Sequence, residues 1–569
     1  MGQNILRLFI EKGFLLDKEM LDFLSQLEDE EVANEIINKI AIISKQKLIT
    51  KNLVNRNIEK IKPILSELDV EKKNLVEKFF VNVSISVEVK KETSVEDKKE
   101  SKGEVIDLGV GDVLESRGSV KILSSPVIAS QKLVVKDFVR HFRNRYNFIK
   151  KILQQKKELE GLTSINKITG NRNFSIIGIV TDKIVTKNKN LILEVEDLTG
   201  RAKLLISKNK EEVFEKSKEI LLDDVIGFNV SGTRDFLFVN NFFYPDIYLD
   251  EKHRADEEIY AVFISDIHIG SDCFLEKNFN RFIDWINGKG ADEKQRENLR
   301  KIRYMFVVGD SIDGVGIYPG QEKDLVIKDI KEQYKKLAEY YKKIPEHISI
   351  IQCAGQHDAV RVAEPQPPID EHFAEPLHDI KNLYFVSNPS IVEIAGKPGI
   401  KVLMYHGASM HGIINEIEEL RLGNAHATPA RVVKHILLRR HLAPSHGATT
   451  YIPDSKNDPM LIREVPDIIT TADLHRTDID KYNGILIVCN SCWQSITPYE
   501  EKLGNNPDPC KVPVLNLKTG QIKILDFSDE DKEEVGEKEC KEKEDKGGSK
   551  DGGSDVDEKE MVCNGEEVS

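Results

Sequence analysis

No apolar run in this chain approaches the ~18 residues needed to cross a bilayer, so it offers no membrane span. The start, Met1-Gly2-Gln3-Asn4-Ile5-Leu6-Arg7, lacks a basic segment followed by an apolar core, so no secretory signal is expected there. Position 6 is Leu rather than Ser or Thr, so the myristoylation pattern fails too. Seven cysteines, an odd number scattered over 569 residues, do not build a disulfide framework. These absences predict a cytoplasmic protein with reduced thiols and no membrane partner. Cys489-Asn490-Ser491-Cys492 is a lone CxxC and reads as two small half-buried thiols rather than a zinc or redox pair.

A basic excess is also missing, since the net charge is −14. Most of that charge is local. From Ser528 to Ser569 there are seventeen Asp or Glu and seven Lys, so the other 527 residues carry only about −4. Acidity therefore does not exclude a nucleic-acid partner. The chain is too long for one core, and several domains are expected.

Residues 1–88 show apolar residues at three- and four-residue steps (Phe14, Leu15, Leu16, Met20, Leu21, Phe23, Leu24, Leu27), which predicts a small helical domain without chemistry. Residues 89–125 read as a charged flexible linker. A second domain is expected over 126–252. It opens with a basic amphipathic helix over Asp137–Leu153, which either touches nucleic acid or packs on the following domain. Then come two strands, a Glu196-Asp197-Leu198-Thr199-Gly200 turn, a third strand, a helical insert and two more strands. That order resembles an oligonucleotide/oligosaccharide-binding (OB-fold) β-barrel, read here as a docking module. Strand–loop–helix units over 255–527 predict an α/β sandwich, and 528–569 reads as a disordered acidic tail.

The chemistry gathers at strand ends. Ile259 to Ile264 is an apolar run that stops at Ser265-Asp266-Ile267-His268. Four further apolar runs end alike: at Gly309-Asp310-Ser311-Ile312-Asp313, at Gly355-Gln356-His357-Asp358, at Tyr405-His406-Gly407 and at Ala472-Asp473-Leu474-His475. Residues just past the carboxyl ends of buried strands are where open α/β sheets bind ligands. Asp266, Asp310 and Asp473, the amide of Gln356, and His268, His406 and His475 suffice for two divalent ions. Such a pair suits phosphodiester hydrolysis. Asp310, behind a glycine, is the expected bridge between the ions. His357 is the expected proton donor to the leaving oxygen, with Asp358 fixing its basicity. Asp313 is expected to support a ligand rather than be one. Arg361 stands evenly between holding a substrate phosphate and pairing with Glu364. His372, His378, His426, His441 and His446 read as packing or surface histidines.

These motifs together resemble the calcineurin-like metallophosphoesterases. The runs His357-Asp358-Ala359-Val360-Arg361-Val362-Ala363-Glu364-Pro365-Gln366-Pro367 and Arg439-Arg440-His441-Leu442-Ala443-Pro444 narrow the resemblance to the small subunits of archaeal family D DNA polymerases. It is specific over about 160–527. It implies a calcineurin-like phosphoesterase domain carrying a 3′–5′ exonuclease, supported by Mn²⁺ or Mg²⁺, acting on single-stranded or mismatched 3′ ends of DNA beside a large polymerase subunit. A sliding-clamp contact is implied at family level only. Two positions depart from the phosphoesterase pattern: Gln356 replaces Asn, and Ala472-Asp473 replaces Gly-His. A carboxylate at 473 favours Mn²⁺ or Mg²⁺ over Zn²⁺. The competing expectation is a catalytically weak scaffold that tethers the polymerase to its partners.

Overall fold

The computed structural model describes residues 118–528, apart from 129–131, 170–172, 234, 397, 498–500 and 502–505, together with two short strands near the start. The chain divides into two units, 1–107 and 108–569. In the first, the described backbone is a parallel pair, Leu15–Leu16 with Leu48–Ile49. This pair lies within the stretch expected to be helical, because a short apolar run suits either period. The rest of the expected helical domain, the linker up to 117 and the tail beyond Ser528 lie outside the described residues.

The end of the expected linker is not a linker. Val120–Ser124 (β1) is an edge strand, antiparallel to a strand some 270 residues later. Nothing local announces this, because Val120 alone of its five residues is buried. The following helix, Val135–Leu153 (α1), is present as expected.

The barrel is closed in the order β2 (Asn173–Val185), β3 (Leu191–Asp197), β4 (Gly200–Ile206), β6 (Phe236–Phe243), β5 (Val225–Thr233). A helix, Glu211–Ser217 (α2), enters between β4 and β5. Leu191, Leu193 and Val195 turn into the barrel core, while Ile192, Glu194 and Glu196 alternate outward. The β3–β4 turn is pinned by Asp197, whose Oδ1 accepts from the backbone N–H of Thr199 (2.7 Å) and Gly200 (3.0 Å).

The remaining strands form two six-stranded sheets. The first runs β10 (Leu383–Phe385), β9 (Ser349–Cys353), β8 (Ile302–Val308), β7 (Tyr260–Ile264), β16 (Lys511–Asn516), β17 (Ile522–Asp526). Its first four strands are parallel. The second runs β14 (Asp478–Tyr482), β15 (Ile485–Cys489), β13 (Ile468–Thr471), β12 (Gly399–Met404), β11 (Ser390–Gly396), β1, with β12, β13 and β15 parallel. Alternate residues of β7 settle the layers. Ala261 and Phe263 join Phe306, Val402, Met404 and Val488 in the core between the sheets, where Phe263 stacks on Phe306 at 5.1 Å. Val262 and Ile264 face outward, against Glu276–Ile286 (α3) and Ile330–Tyr341 (α4). Met410–Glu416 (α5) and Pro429–Arg439 (α6) cover the second sheet. The sandwich is thus four layers, helix–sheet–sheet–helix, and the carboxyl ends of five parallel strands come to one edge.

Helix α1 joins barrel to sandwich. Tyr146, Ile149 and Leu153 pack with Ile177, Val225 and Leu461. Its Arg145 is buried, donating to Asp458 Oδ2 at 2.9 Å and to the Pro444 carbonyl at 2.6 Å. The packing alternative for this helix is the one seen, and Arg145 is removed from any solvent face.

Candidate metal centre

Five loops leave β7, β8, β9, β12 and β13 and meet laterally. The Asp266 N–H donates to the Gly309 carbonyl, the His268 N–H to the Asp310 carbonyl and the Asp313 N–H to the Ile269 carbonyl. The backbone here is unusual. Asp266, His268, Asp310, Asp473 and His475 all have positive φ, between 46° and 68°. Left-handed backbone is costly for residues with a side chain and persists where the surroundings enforce it. The two Asp-x-His segments, one per sheet, repeat the same pair of left-handed residues two apart. That alternation turns both side chains of each segment to the same side. Gly309 (φ +83°) allows the loops to close up, because a Cβ there would lie 2.3 Å from His406 Nδ1.

Each imidazole is oriented from behind. His406 Nδ1 lies 2.7 Å from the Val308 carbonyl, so it carries the proton and leaves Nε2 to the centre. His268 Nδ1 lies 3.1 Å from Asp313 Oδ1. The Cys492 thiol sits against the His475 ring, which gives the CxxC a place beside the site that its pattern did not suggest. The front atoms then converge. His268 Nε2 is 3.4 Å from His475 Nε2, and His475 Nε2 is 3.5 Å from Asp266 Oδ1. On the other side, His406 Nε2 is 3.2 Å from Asp310 Oδ2 and 3.7 Å from Asp473 Oδ1. Three groups of possible ligands result among the described residues: Asp266, His268 and His475, then Asp266, Asp310 and His406, and behind them His268, Asp313 and His357. Gln356 and Asp473 extend the second group.

Asp266 is common to the first two groups. Asp310 Oδ1 accepts the His357 N–H at 2.8 Å and its Oδ2 lies 3.2 Å from His406 Nε2. Asp266 Oδ1 has no hydrogen-bond partner.

Charge is balanced within the cluster. Burial raises the Asp310 carboxyl, but the rings of His406, His357 and His268 outweigh it and hold the group well below the usual carboxylate range. Burial lowers His406, yet Asp310, Asp266 and Asp473 lift it well above the ordinary histidine value. His475 rises likewise against burial, through Cys492 and Asp266. Cations that satisfy these carboxylates would otherwise be protons on the imidazoles. Asp266 Oδ1, Gln356 Oε1, His406 Nε2 and Asp473 Oδ2 are all buried without a hydrogen-bond partner. Buried acceptors facing one space without donors are unfavourable unless a cation answers them. The donor set fits a pair of divalent ions.

Two expected roles change. Asp358 does not support His357. It is buried beneath the loop, accepting from Ser311 Oγ (2.6 Å), Tyr334 Oη (3.2 Å) and the Gly355 N–H (2.9 Å). His357 Nδ1 instead meets the Asp313 carbonyl at 2.8 Å, and the Asp313 carboxylate lies 4.0 Å away. Asp313 accepts from Gln321 Nε2 (2.9 Å) and Gln494 Nε2 (3.2 Å) as well as facing His268, which makes it an orienting group for both histidines. Arg361 neither pairs with Glu364 nor reaches the centre. Its guanidinium donates to the carbonyls of Ile128 (2.6 Å), Pro365 (2.7 Å) and Ala363 (3.3 Å). Glu364 is buried behind His406, with its carboxylate 3.4 Å from both Asn388 Nδ2 and Tyr405 Oη. Asn388 Oδ1 accepts the His406 N–H at 2.9 Å. Of the set-aside histidines, His441 is buried against Asp458 (2.8 Å), and His446 bonds Tyr451 Oη (2.8 Å). His426 lies 3.3 Å from His411, a residue the sequence pattern did not single out.

Residues 261–479 match the B-subunit family of DNA polymerases alpha and epsilon. The DNA polymerase II small subunit of Methanothermobacter thermautotrophicus is 37% identical over 393 residues, covering 69% of this chain and 79% of that one. Those of Methanocaldococcus jannaschii (38% over 387 residues) and Pyrococcus furiosus (35% over 404) are matched over 64% of their length, and over 67% and 70% of this chain. A solved archaeal phosphodiesterase aligns over 47% of this chain and 99% of its own, at 12% identity and a TM-score of 0.22, which carries no weight for fold or function. With a relative above one third identity matched over most of its length, the chain belongs to the DNA polymerase II small-subunit family.

Proposed function

We infer that the centre is a two-ion 3′–5′ exonuclease, which trims single-stranded or mismatched 3′ ends of DNA beside a large polymerase subunit. The carrying observation is the set of buried ligand atoms without a hydrogen-bond partner, Asp266 Oδ1, Gln356 Oε1 and His406 Nε2, in one cluster of five strand ends. A bound pair of divalent ions supplies the activated water and the charge neutralisation that phosphodiester hydrolysis needs. Asp266, His268 and His475 would hold the first ion. Asp266, Asp310, His406, Gln356 and Asp473 would hold the second. With four oxygen-bearing side chains at the second position, Mn²⁺ or Mg²⁺ suits it better than Zn²⁺.

The chain's own residues do the rest. His357 is half-buried at the mouth, and its Nδ1 is engaged by the Asp313 carbonyl. Nε2 is then the ring atom that can pass a proton to the departing 3′ oxygen. Asp313 orients both histidines, His268 through its carboxylate and His357 through its backbone carbonyl. The network of Glu364, Asn388 and Gln366 fixes the loops from behind, with Gln366 Nε2 donating to the Gly355 carbonyl at 3.0 Å.

The test is nuclease activity of the Asp310→Asn chain with Mn²⁺, copurified with a large subunit, on matched and mismatched 3′ ends. Loss of at least a hundredfold is expected, the order seen when a preorganised charge is removed from an active site. Digestion at the wild-type rate would sink the exonuclease reading and leave a tethering subunit.

A further inference from the structure

Position 473 is where the phosphoesterase pattern has an imidazole and this chain has a carboxylate. An imidazole ligand uses one atom on the metal and one behind it. A carboxylate brings a second oxygen, and that oxygen needs an answer. Asp473 Oδ1 accepts from Gln356 Nε2 at 3.0 Å and faces His406. Asp473 Oδ2 is buried without a hydrogen bond, and His411 Nε2 stands 3.5 Å from it. His411 lies at the start of helix α5, four residues beyond a glycine that lets the two loops touch. Gly407 has φ +131°, and a Cβ there would lie 3.0 Å from the Ala472 carbonyl oxygen and 3.2 Å from Asp473 Cβ. Behind His411, its Nδ1 is 3.3 Å from His426 Nε2.

A carboxylate only accepts, so a donor at His411 Nε2 is the proton placement that answers Asp473. His411 Nδ1 and His426 Nε2 then share one proton between them across 3.3 Å. Burial, and the neighbouring His411 ring, hold His426 below the ordinary histidine range, so a neutral ring with a single N–H faces His411.

We propose that His411 and His426 form a two-imidazole prop that holds Asp473 as a ligand of the second ion, in place of the imidazole that Asp473 replaces. This rests on the two-ion reading above. Ligating carboxylates are themselves hydrogen-bonded in metal sites, and losing such a partner weakens metal binding about 10–100-fold. His411 and His426 are positioning residues, since neither reaches the reacting atoms.

The experiment is titration of Mn²⁺ into the full chain, followed by calorimetry and by electron paramagnetic resonance, which separates a lone Mn²⁺ from a spin-coupled pair. The wild-type chain should take two ions and show the coupled signal. His411→Phe and His426→Phe should bind the first ion normally and the second about 10–100-fold more weakly. His411→Gln, which keeps an N–H donor, should recover most of the loss. Retained first-ion binding shows that a variant is folded. If His411→Phe loses both ions, His426→Phe decides, because its ring does not touch Asp473. Wild-type constants and a coupled signal in the Phe variants would overturn the prop. A wild-type chain that never takes a second ion would overturn the two-ion reading, and the prop with it.

Discussion

Gln356 Nε2 donates to Asp473 Oδ1 across 3.0 Å, so the two residues that depart from the phosphoesterase pattern hold each other. A carboxylate at 473 needs a donor, and the arm of glutamine, one methylene longer than asparagine, supplies it while Oε1 stays buried and free for an ion. The departures are one change in two places. Gln356→Asn should strand Asp473, and Asp473→His should strand Gln356. Each is expected to weaken the second ion about 10–100-fold. The double variant should lose no more than either single one, a coupling of about 1–3 kcal/mol in a double-mutant cycle on Mn²⁺ affinity. Simple additivity would refute the pairing.

Asp313 and Asp358 flank His357 in the folded chain but serve different ends. Asp313→Asn should reduce Mn²⁺ affinity, and turnover with it, about 10–100-fold, because it removes the charge that orients His268, while His357 keeps the backbone carbonyl of residue 313. Asp358→Asn should chiefly lower stability, by about 3 kcal/mol, since a buried acceptor of three donors is impaired. Thermal unfolding set beside turnover numbers separates the two. Equal effects on both readouts would contradict the assignment.

Glu364 is buried, and burial pushes its carboxyl up to about 8 from an ordinary value of 4.5. The native state thus binds this proton more tightly than the unfolded chain. Its stabilising contribution is complete below about 4.5 and is lost as pH rises towards about 8, at a slope near 1.4 kcal/mol per pH unit. Glu364→Gln, neutral at every pH, should remove that slope and exceed the wild type in stability at pH 9. Urea unfolding at several pH values is the measurement, and parallel curves for the two chains would count against it.

Arg145 and Asp458 join helix α1 to the sandwich out of reach of solvent, at 2.9 Å. His441 and His141 also face Asp458, at 2.8 and 3.3 Å. Burial lowers both histidines, His441 to about 4, so Arg145 is the cation that answers the carboxylate. Arg145→Met should cost about 3–5 kcal/mol, the usual result of leaving one buried charge unpaired. Mn²⁺ affinity of the folded fraction should be unchanged. A variant as stable as the wild type would show that the pair adds nothing.

The chemistry of this protein is written locally. Apolar runs that end in Asp-x-His, Gly-Asp or Gly-Gln-His announce parallel strands with ligands at their carboxyl ends, because strand burial and loop polarity are both short-range properties of the chain. The barrel was legible for the same reason, through alternation along Leu191–Asp197 and the turn pinned by Asp197. Tertiary structure decided what depends on neighbours far along the chain. Val120–Ser124 finds its partner some 270 residues away. Arg361 spends its donors on distant carbonyls, Asp266 stands within reach of both His475 and His406, and His411 comes to Asp473 only because neighbouring strands bring their loops together. A residue type offers a donor, an acceptor or a charge. Which partner takes it is settled by which loops the packed sheets bring within about 3 Å, the range over which hydrogen bonds act.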